Sequence, residues 1–293
     1  MNPALDIVAA LRGLAETGGK SDRRIAAVVL ADPEFVTHAS IARVAERAGV
    51  SEPTVTRFCR ALDCEGIRDF KVRLAQALAV SGRYLQPAKP EPDPIEHRVP
   101  GIIRASAVEA IEMVCRSIDL DDLARAGKIV AASRMIRSYG SGGSSSMAAT
   151  ELESRLFRLG LSIGASIDGE MQRMTAAVSN SGTTIVALSI SGLVRTQIDA
   201  VGIARHYGAR TIAFTAPKSP LALASEIVFP FHVDEGTNVF RPSPARYALL
   251  ALVDMLAMVT AEQIGQPALE GMRRMKHHVS QARNNDPSLP LGD

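Results

Sequence analysis

The chain has 293 residues, 46% of them hydrophobic and 22% charged, with a formal net charge of only +2. This length suits two domains of ordinary size with real cores. So small a charge excludes reading a nucleic-acid partner from the whole-chain balance, and local placement must carry any such reading. In chain order, the pattern from residue 3 to 79 is helical. It predicts helices over 4–16 and 22–30, a stop at Asp32-Pro33, two short helices within 40–64, and a further helix over 67–79.

The stretch SIARVAERAGVSEPTVTRFCRALDC (40–64) is the most informative part of this half. At about 100° per residue, Val55, Phe58, Cys59 and Leu62 share one side of the second helix. Pro53, Thr56, Arg57 and Arg60 share the other. The first set suits a core and the second a DNA groove. Gly49 suits a left-handed end to the first helix after Ile41, Val44, Ala45 and Ala48, Ser51 suits the N-cap of the second, and Pro53 its first turn. The small Ala45 lets two helices cross closely, as a helix-turn-helix requires. A two-helix corner of any all-α domain shares parts of this pattern. The expected DNA contacts are Ser51, Pro53, Thr54, Thr56, Arg57 and Arg60.

Between Ser40 and Arg73, seven basic residues (Arg43, Arg47, Arg57, Arg60, Arg68, Lys71, Arg73) stand against five acids (Glu46, Glu52, Asp63, Glu65, Asp69). Binding to duplex strengthens with the number of phosphates neutralised, and this excess is weak for one copy. A homodimer or homotetramer presenting two recognition helices to a palindromic double-stranded operator is therefore expected.

Residues 84–100, YLQPAKPEPDPIEHRVP, hold five prolines and few large apolar side chains, which suits a stiff, extended linker. The expected division is an all-α helix-turn-helix domain over 1–80, a Pro-rich linker over 81–100, a second domain over 101–280 and a polar, disordered tail over 281–293. Helices over 102–118 and 121–126 lead into strands at 135–140, 161–165, 184–190, 210–216 and 226–233. These alternate with helices near 146–158, 170–178, 195–207 and 244–263. Such alternation implies a mainly parallel, doubly wound α/β sheet with helices on both faces, a flavodoxin-type three-layer sandwich. Two strand-to-helix junctions are rich in Ser and Gly: GSGGSSS (140–146) and SISG (189–192). Ligands of open parallel sheets bind outside the carboxyl ends of strands, where helix N-termini offer N–H groups to an anion. Hydroxyls and amides together make a phosphate cradle without a cation, although ordinary loop and cap roles explain either junction taken alone.

Together, Ala45, Gly49, Val50, Ser51, Thr54, Val55, Arg57 and Phe58 resemble the helix-turn-helix of the RpiR family of bacterial transcription regulators. The run VSEPTVTRFCRALDCEGIRDFKVRLAQALA (50–79) is similar to its HexR branch. From about residue 102 to 279 the chain resembles the sugar isomerase (SIS) domain, whose first loop reads roughly Gly-x-Gly-x-Ser and whose second reads Ser-x-Ser-Gly-x-Thr. MQRM (171–174) and VFRPSPARYALLALVDMLA (239–257) again look like the HexR branch. The resemblance implies phosphosugar contacts from Ser141, Ser144, Ser145, Ser189, Ser191, Gly192, Thr196 and Arg246. The first loop is one residue longer than the family spacing, so its phosphate-binding serine is Ser144 or Ser145. Val194 stands where the family has Thr, which leaves Thr196 or Arg195 to compensate. Arg246 offers a bidentate fork to phosphate or carboxylate, or a salt bridge on the surface or between subunits.

The resemblance also implies a repressor of sugar catabolism genes, with 2-keto-3-deoxy-6-phosphogluconate as the expected effector. A SIS-type phosphosugar isomerase is the alternative. It needs a base near C1–C2 of the sugar, for which Glu170 is the one carboxylate nominated. Asp168 before it suits helix capping as well as a sugar contact. The remaining expectations are negative. Gly140-Ser141-Gly142 begins a dinucleotide fingerprint, but Ser145 holds the place of its third Gly. Cys59, Cys64 and Cys115 lack paired spacing, and the six histidines show no metal-binding spacing, so no metal or cofactor is expected. No run of transmembrane length and no cationic N-terminal leader is read. A soluble cytoplasmic protein with reduced thiols is expected.

Overall fold

The computed structural model describes residues 7–81, 94–233 and 242–282. They fall into two compact units, one holding residues 7–81 and the other the rest.

The first unit is all-α: α1 (Ile7–Thr17), α2 (Lys20–Ala31), α3 (Pro33–His38), α4 (Ile41–Ala48), α5 (Glu52–Ala61) and α6 (Ile67–Ser81). Their apolar stripes meet in one core that includes Leu11, Ile25, Val29, Val36, Val44, Phe58, Phe70 and Leu74. Phe58 and Phe70 meet edge to face at 6.0 Å. The expected stop at Asp32-Pro33 is also a start. Asp32 accepts a 3.0 Å hydrogen bond from the Phe35 N–H, and Pro33 takes the first position of α3, where a missing N–H costs nothing. Residues 4–6 of the first expected helix lie outside the described residues.

The second unit opens with α7 (Ile95–Ser117) and α8 (Leu120–Ala131). Helix therefore takes up the last six residues of the expected proline-rich linker. Pro94 stands just outside α7, and only Pro100 lies within it, in its second turn. One lost N–H bond there is offset by the packing of Ala110 and Val114 further along. Linker residues 82–93 are outside the described set.

The α/β body follows as β1 (Met135–Gly140), α9 (Gly143–Arg158), β2 (Ile163–Ser166), α10 (Gly169–Ala177), β3 (Thr183–Ser189), α11 (Arg195–His206), β4 (Arg210–Thr215), α12 (Pro220–Ala224), β5 (Ile227–Pro230), α13 (Ala245–Ile264) and α14 (Gln266–Ala282). The strands order as β2-β1-β3-β4-β5, and every pairing is parallel. Alternate residues serve opposite faces, as the strand period dictates. Ile136, Val186, Leu188, Ile212 and Phe214 join the core shared with α7, α8, α9 and α13. Tyr139, Ile185, Ala187 and Ala213 join the core shared with α10, α11 and α12. This is the expected three-layer, doubly wound sandwich.

Three short or late elements, α3, α12 and α14, were not anticipated. Gly265, at φ 69°, ends α13 and lets α14 start anew. α14 runs to Ala282, two residues into the expected disordered tail, and 283–293 lie outside the described residues. The transmembrane reading also needs correcting. α13 is 20 residues long with a mean hydropathy of 1.5, long and apolar enough to cross a membrane by length and composition. Here it is a core helix, burying Ala248, Leu249, Leu252, Val253 and Leu256 in the core it shares with α7, α8 and α9.

Candidate functional site

The helix-turn-helix is built from α4 and α5. Ser40 caps α4 by accepting from the Arg43 N–H at 3.3 Å. Gly49 ends it in the left-handed region, and the Val50 N–H closes on the Ala45 carbonyl at 3.0 Å. Ser51 holds the N-cap position of α5, but its hydroxyl pairs with that of Thr54 at 2.9 Å and not with the backbone. Arg57 Nη2 donates to Thr54 Oγ1 at 3.4 Å, so hydroxyl, hydroxyl and guanidinium form one chain at the start of the helix. Val55, Phe58, Cys59 and Leu62 are buried, whereas Ser51, Pro53, Arg57 and Arg60 are exposed and Thr54 and Thr56 half-buried. Burial, with Cys64 close by, pushes the Cys59 thiol up to about 12, so it stays protonated in the core. Of the seven basic residues counted above, Arg57 donates to Thr54, Arg43 stands over the Phe35 ring at 5.5 Å, and three others are engaged within the unit. Arg47 pairs with Asp32 at 3.0 Å, Arg73 pairs with Asp69 at 3.0 Å, and Lys71 donates to the Ala39 carbonyl. Arg57, Arg60 and Arg68 have no carboxylate partner among the described residues.

In the second unit, β1 lies between β2 and β3, so the chain leaves β1 toward one edge and returns across it to β3. Open α/β sheets bind ligands where the strand order reverses in this way. The helices leaving the two strands take opposite faces, α9 with one core and α11 with the other. The two Ser/Gly loops therefore face each other across the crevice. Gly140 at the end of β1 has no room for a side chain, because a Cβ would stand 2.1 Å from the Ser145 carbonyl oxygen. Gly192 has φ 66°, and a Cβ there would meet Ser219 Oγ at 2.1 Å and Thr215 Oγ1 at 2.5 Å.

The hydroxyls of this crevice have a common state. Ser141 Oγ accepts from Gln172 Nε2 at 3.2 Å, Ser189 Oγ from the Gly192 N–H at 3.0 Å, and Ser191 Oγ from the Leu193 N–H at 3.3 Å. Each oxygen thus accepts a hydrogen bond from the protein, leaving its own O–H free to donate to an anion. Ser144 and Ser145 lie in the first turn of α9 and make no side-chain hydrogen bond among the described residues. α9 starts at Gly142 and α11 at Val194 without a side-chain cap, whereas α10 is capped by Asp168 and α12 by Ser219. α9 and α11, which lack such caps, are the two helices that leave β1 and β3. Their free N–H groups and dipoles favour negative charge.

Other expected residues are placed differently. Thr196 faces the start of α10, where a Cβ on Gly169 would stand 2.6 Å from its Oγ1, and no hydrogen bond links it to Ser189 or Ser191. Arg195 is widely exposed and reaches Asp199 at 3.8 Å. Arg246 stacks on Tyr247 at 4.7 Å and donates to its hydroxyl at 2.9 Å, with no carboxylate partner among the described residues. Glu170 is exposed, and its N–H is taken by the Asp168 cap at 3.0 Å. Asp168 is thus a capping residue. No cluster of metal-ligating side chains occurs among the described residues.

Known proteins share both units. Residues 6–81 match the helix-turn-helix domain of the rpiR family, and 129–259 match the SIS domain. The HTH-type transcriptional regulator HexR of Escherichia coli K12 is 33% identical over 274 residues, 94% of each chain. Its namesake in Pseudomonas aeruginosa is 32% identical over 264 residues, 90% of this chain and 92% of that one. The chain belongs to the RpiR family, as a HexR-type regulator. DNA binding in such a regulator belongs to the helix-turn-helix unit and phosphosugar binding to the SIS unit. Among solved structures, the NanR protein of Vibrio vulnificus complexed with ManNAc-6P superposes with a TM-score of 0.60 at 26% identity, covering 94% of this chain and 98% of that one.

Two residues of this RpiR-family regulator escaped the sequence reading. Gln172 on α10 and Gln197 on α11 are fully buried, and each carboxamide bridges neighbouring strands at their carboxyl ends. Gln172 Nε2 donates to the carbonyls of Gly140 at 3.2 Å and Ser166 at 2.8 Å. Gln197 Nε2 donates to those of Tyr139 at 2.8 Å and Leu188 at 3.1 Å. The signal lay in the periodicity. Gln172 shares a helix stripe with Ala176, and Gln197 with Ala200, Val201 and Ala204, so each is a polar residue on an apolar face.

Proposed function

We propose that this regulator is a cytoplasmic repressor of sugar catabolism genes. In this reading a homodimer or homotetramer holds a palindromic operator and a phosphorylated sugar releases it. The compound to test first is 2-keto-3-deoxy-6-phosphogluconate. The observation that carries the ligand class is the crevice itself: Ser141, Ser189 and Ser191 each have the oxygen engaged and the O–H free, beside two uncapped helix starts. Such a set is made for a tetrahedral oxyanion. The ManNAc-6P in the NanR structure is of the same class. The phosphate-binding serines are then Ser141, Ser144, Ser145, Ser189 and Ser191, with Gly192 shaping the second loop. Val194 supplies no hydroxyl, and the free amides at the start of α11 take that part. Arg246 reaches the ligand by leaving Tyr247.

The protein acts by binding and not by turnover. The two HexR relatives it resembles are regulators, and exposed Glu170 is the one base the isomerase reading offers. Ser51, Pro53, Thr54, Thr56, Arg57 and Arg60 read the operator. The deciding experiment is capture of genomic fragments by the purified protein, repeated with phosphosugars in the wash. Recovery of a few palindromic sites released by one phosphosugar is the expected result. No enrichment over random fragments, together with aldose–ketose phosphate interconversion that is lost in Glu170→Gln, would overturn the reading.

A further inference from the structure

We infer that Gln172 is a positioning residue of the crevice, whose buried carboxamide fixes the Ser141 hydroxyl as a hydrogen-bond donor for the bound phosphate. The inference rests on the phosphosugar reading and adds a residue that does not itself touch the ligand.

Gln172 is 0% exposed. Its Nε2 carries two N–H groups and meets three acceptors: Ser166 O at 2.8 Å, Gly140 O at 3.2 Å and Ser141 Oγ at 3.2 Å. Ser166 O, the nearest, takes one N–H. The other is shared between Gly140 O and Ser141 Oγ, a three-centre arrangement of ordinary geometry. An amide nitrogen has no acceptor capacity, so Ser141 is the acceptor in this contact and must direct its own proton elsewhere. The carbonyls of Gly140 and Ser166 are already engaged. The remaining direction is the crevice, where a phosphate oxygen is the matching acceptor. The Oε1 atom of Gln172 is buried without a partner among the described residues, so within them the carboxamide is held through its N–H groups. A glutamate here would present oxygen to oxygen at all three contacts.

Gln197 supplies an internal control. It is equally buried, bridges two strand carbonyls in the same way and has the same unpartnered Oε1. No hydroxyl of either Ser/Gly loop is among its partners. Both glutamines therefore brace the sheet ends, and only Gln172 also orients a loop hydroxyl.

The test is calorimetric titration of the full chain with 2-keto-3-deoxy-6-phosphogluconate, and of Gln172→Met, Gln197→Met, Ser141→Ala and the Ser141→Ala/Gln172→Met pair. Gln172→Met and Ser141→Ala should each weaken binding about tenfold or more, the effect of one lost hydrogen bond to a charged group. The pair should be no weaker than Ser141→Ala alone, because the two act through one contact. Gln197→Met should change affinity far less, and operator affinity without effector should be unchanged in Gln172→Met. Wild-type affinity in Gln172→Met, additive losses in the pair, or equal losses in the two glutamine variants would overturn the inference. Should Gln172→Met not fold, the side-chain NH₂ resonances of the unmodified protein decide. Those of Gln172 should shift on ligand addition more than those of Gln197, and equal or absent shifts overturn the proposal. An unmodified chain that binds no phosphosugar overturns the underlying reading instead, a result distinct from all of these.

Discussion

Arg57 and Arg60 stand on the exposed side of α5, opposite a buried stripe of Val55, Phe58 and Cys59. Which residues of α5 are exposed and which buried was legible from the sequence, because a helix repeats every 3.6 residues whatever surrounds it. Arg57→Ala and Arg60→Ala should each cost about 1–3 kcal/mol of operator affinity if they meet base edges. If they meet phosphates, the slope of affinity against salt should fall by about one instead. Gel-shift titrations at several salt concentrations separate the two, and unchanged binding in both variants would remove α5 from the groove. Ser189→Ala takes away one free hydroxyl and the acceptor for the Gly192 N–H. It should weaken effector binding by about 1.5–3 kcal/mol and leave effector-free DNA affinity intact. Normal release from the operator in that variant would move the ligand elsewhere. The partners of these hydroxyls were not legible, since Gln172 and Ser141 meet only because α10 and the first loop share one edge of a folded sheet.

At the scale of elements, Asp32 joins α2 to α3. The Phe35 N–H holds its carboxyl below the usual aspartate range, and Arg47 adds to the effect. A carboxyl whose folded pKa is depressed adds stability above its unfolded value, and that stability is lost as pH falls through the folded one. The first unit should therefore melt at lower temperature below about pH 4, and Asp32→Asn should flatten that dependence. A melting curve with the same pH slope in the variant would show the cap to be unimportant. Long elements were found close to where periodicity placed them. α3 and α12 were missed because helices of six and five residues carry few turns of pattern, whereas α14, 17 residues long, follows α13 with Gly265 alone between them. The linker expected to reach residue 100 gives way to α7 at Ile95, since tertiary burial further along a helix outweighs one proline near its start.

For the whole molecule, the proposed function calls for more than one copy on the operator, because each helix-turn-helix leaves few cations free for phosphate. Sedimentation should show a dimer or larger at working concentration, and operator half-sites should be spaced about 34 Å apart. Effector and operator should each weaken the other by the same factor, about 5–150-fold for a coupling of 1–3 kcal/mol. Unequal factors measured in the two directions would mean that the two ligands do not act through one shared equilibrium.

The sequence by itself determined the two units, the recognition helix and its outward face, the doubly wound sheet and the two Ser/Gly junctions. All of these follow from local periodicity and turn chemistry. Only the tertiary structure decided that the junctions flank one switch point, that the two helices beside it lack caps, and that two buried carboxamides brace it. Those facts depend on which strands become neighbours and which atoms lose access to water, and no spacing along the chain records either.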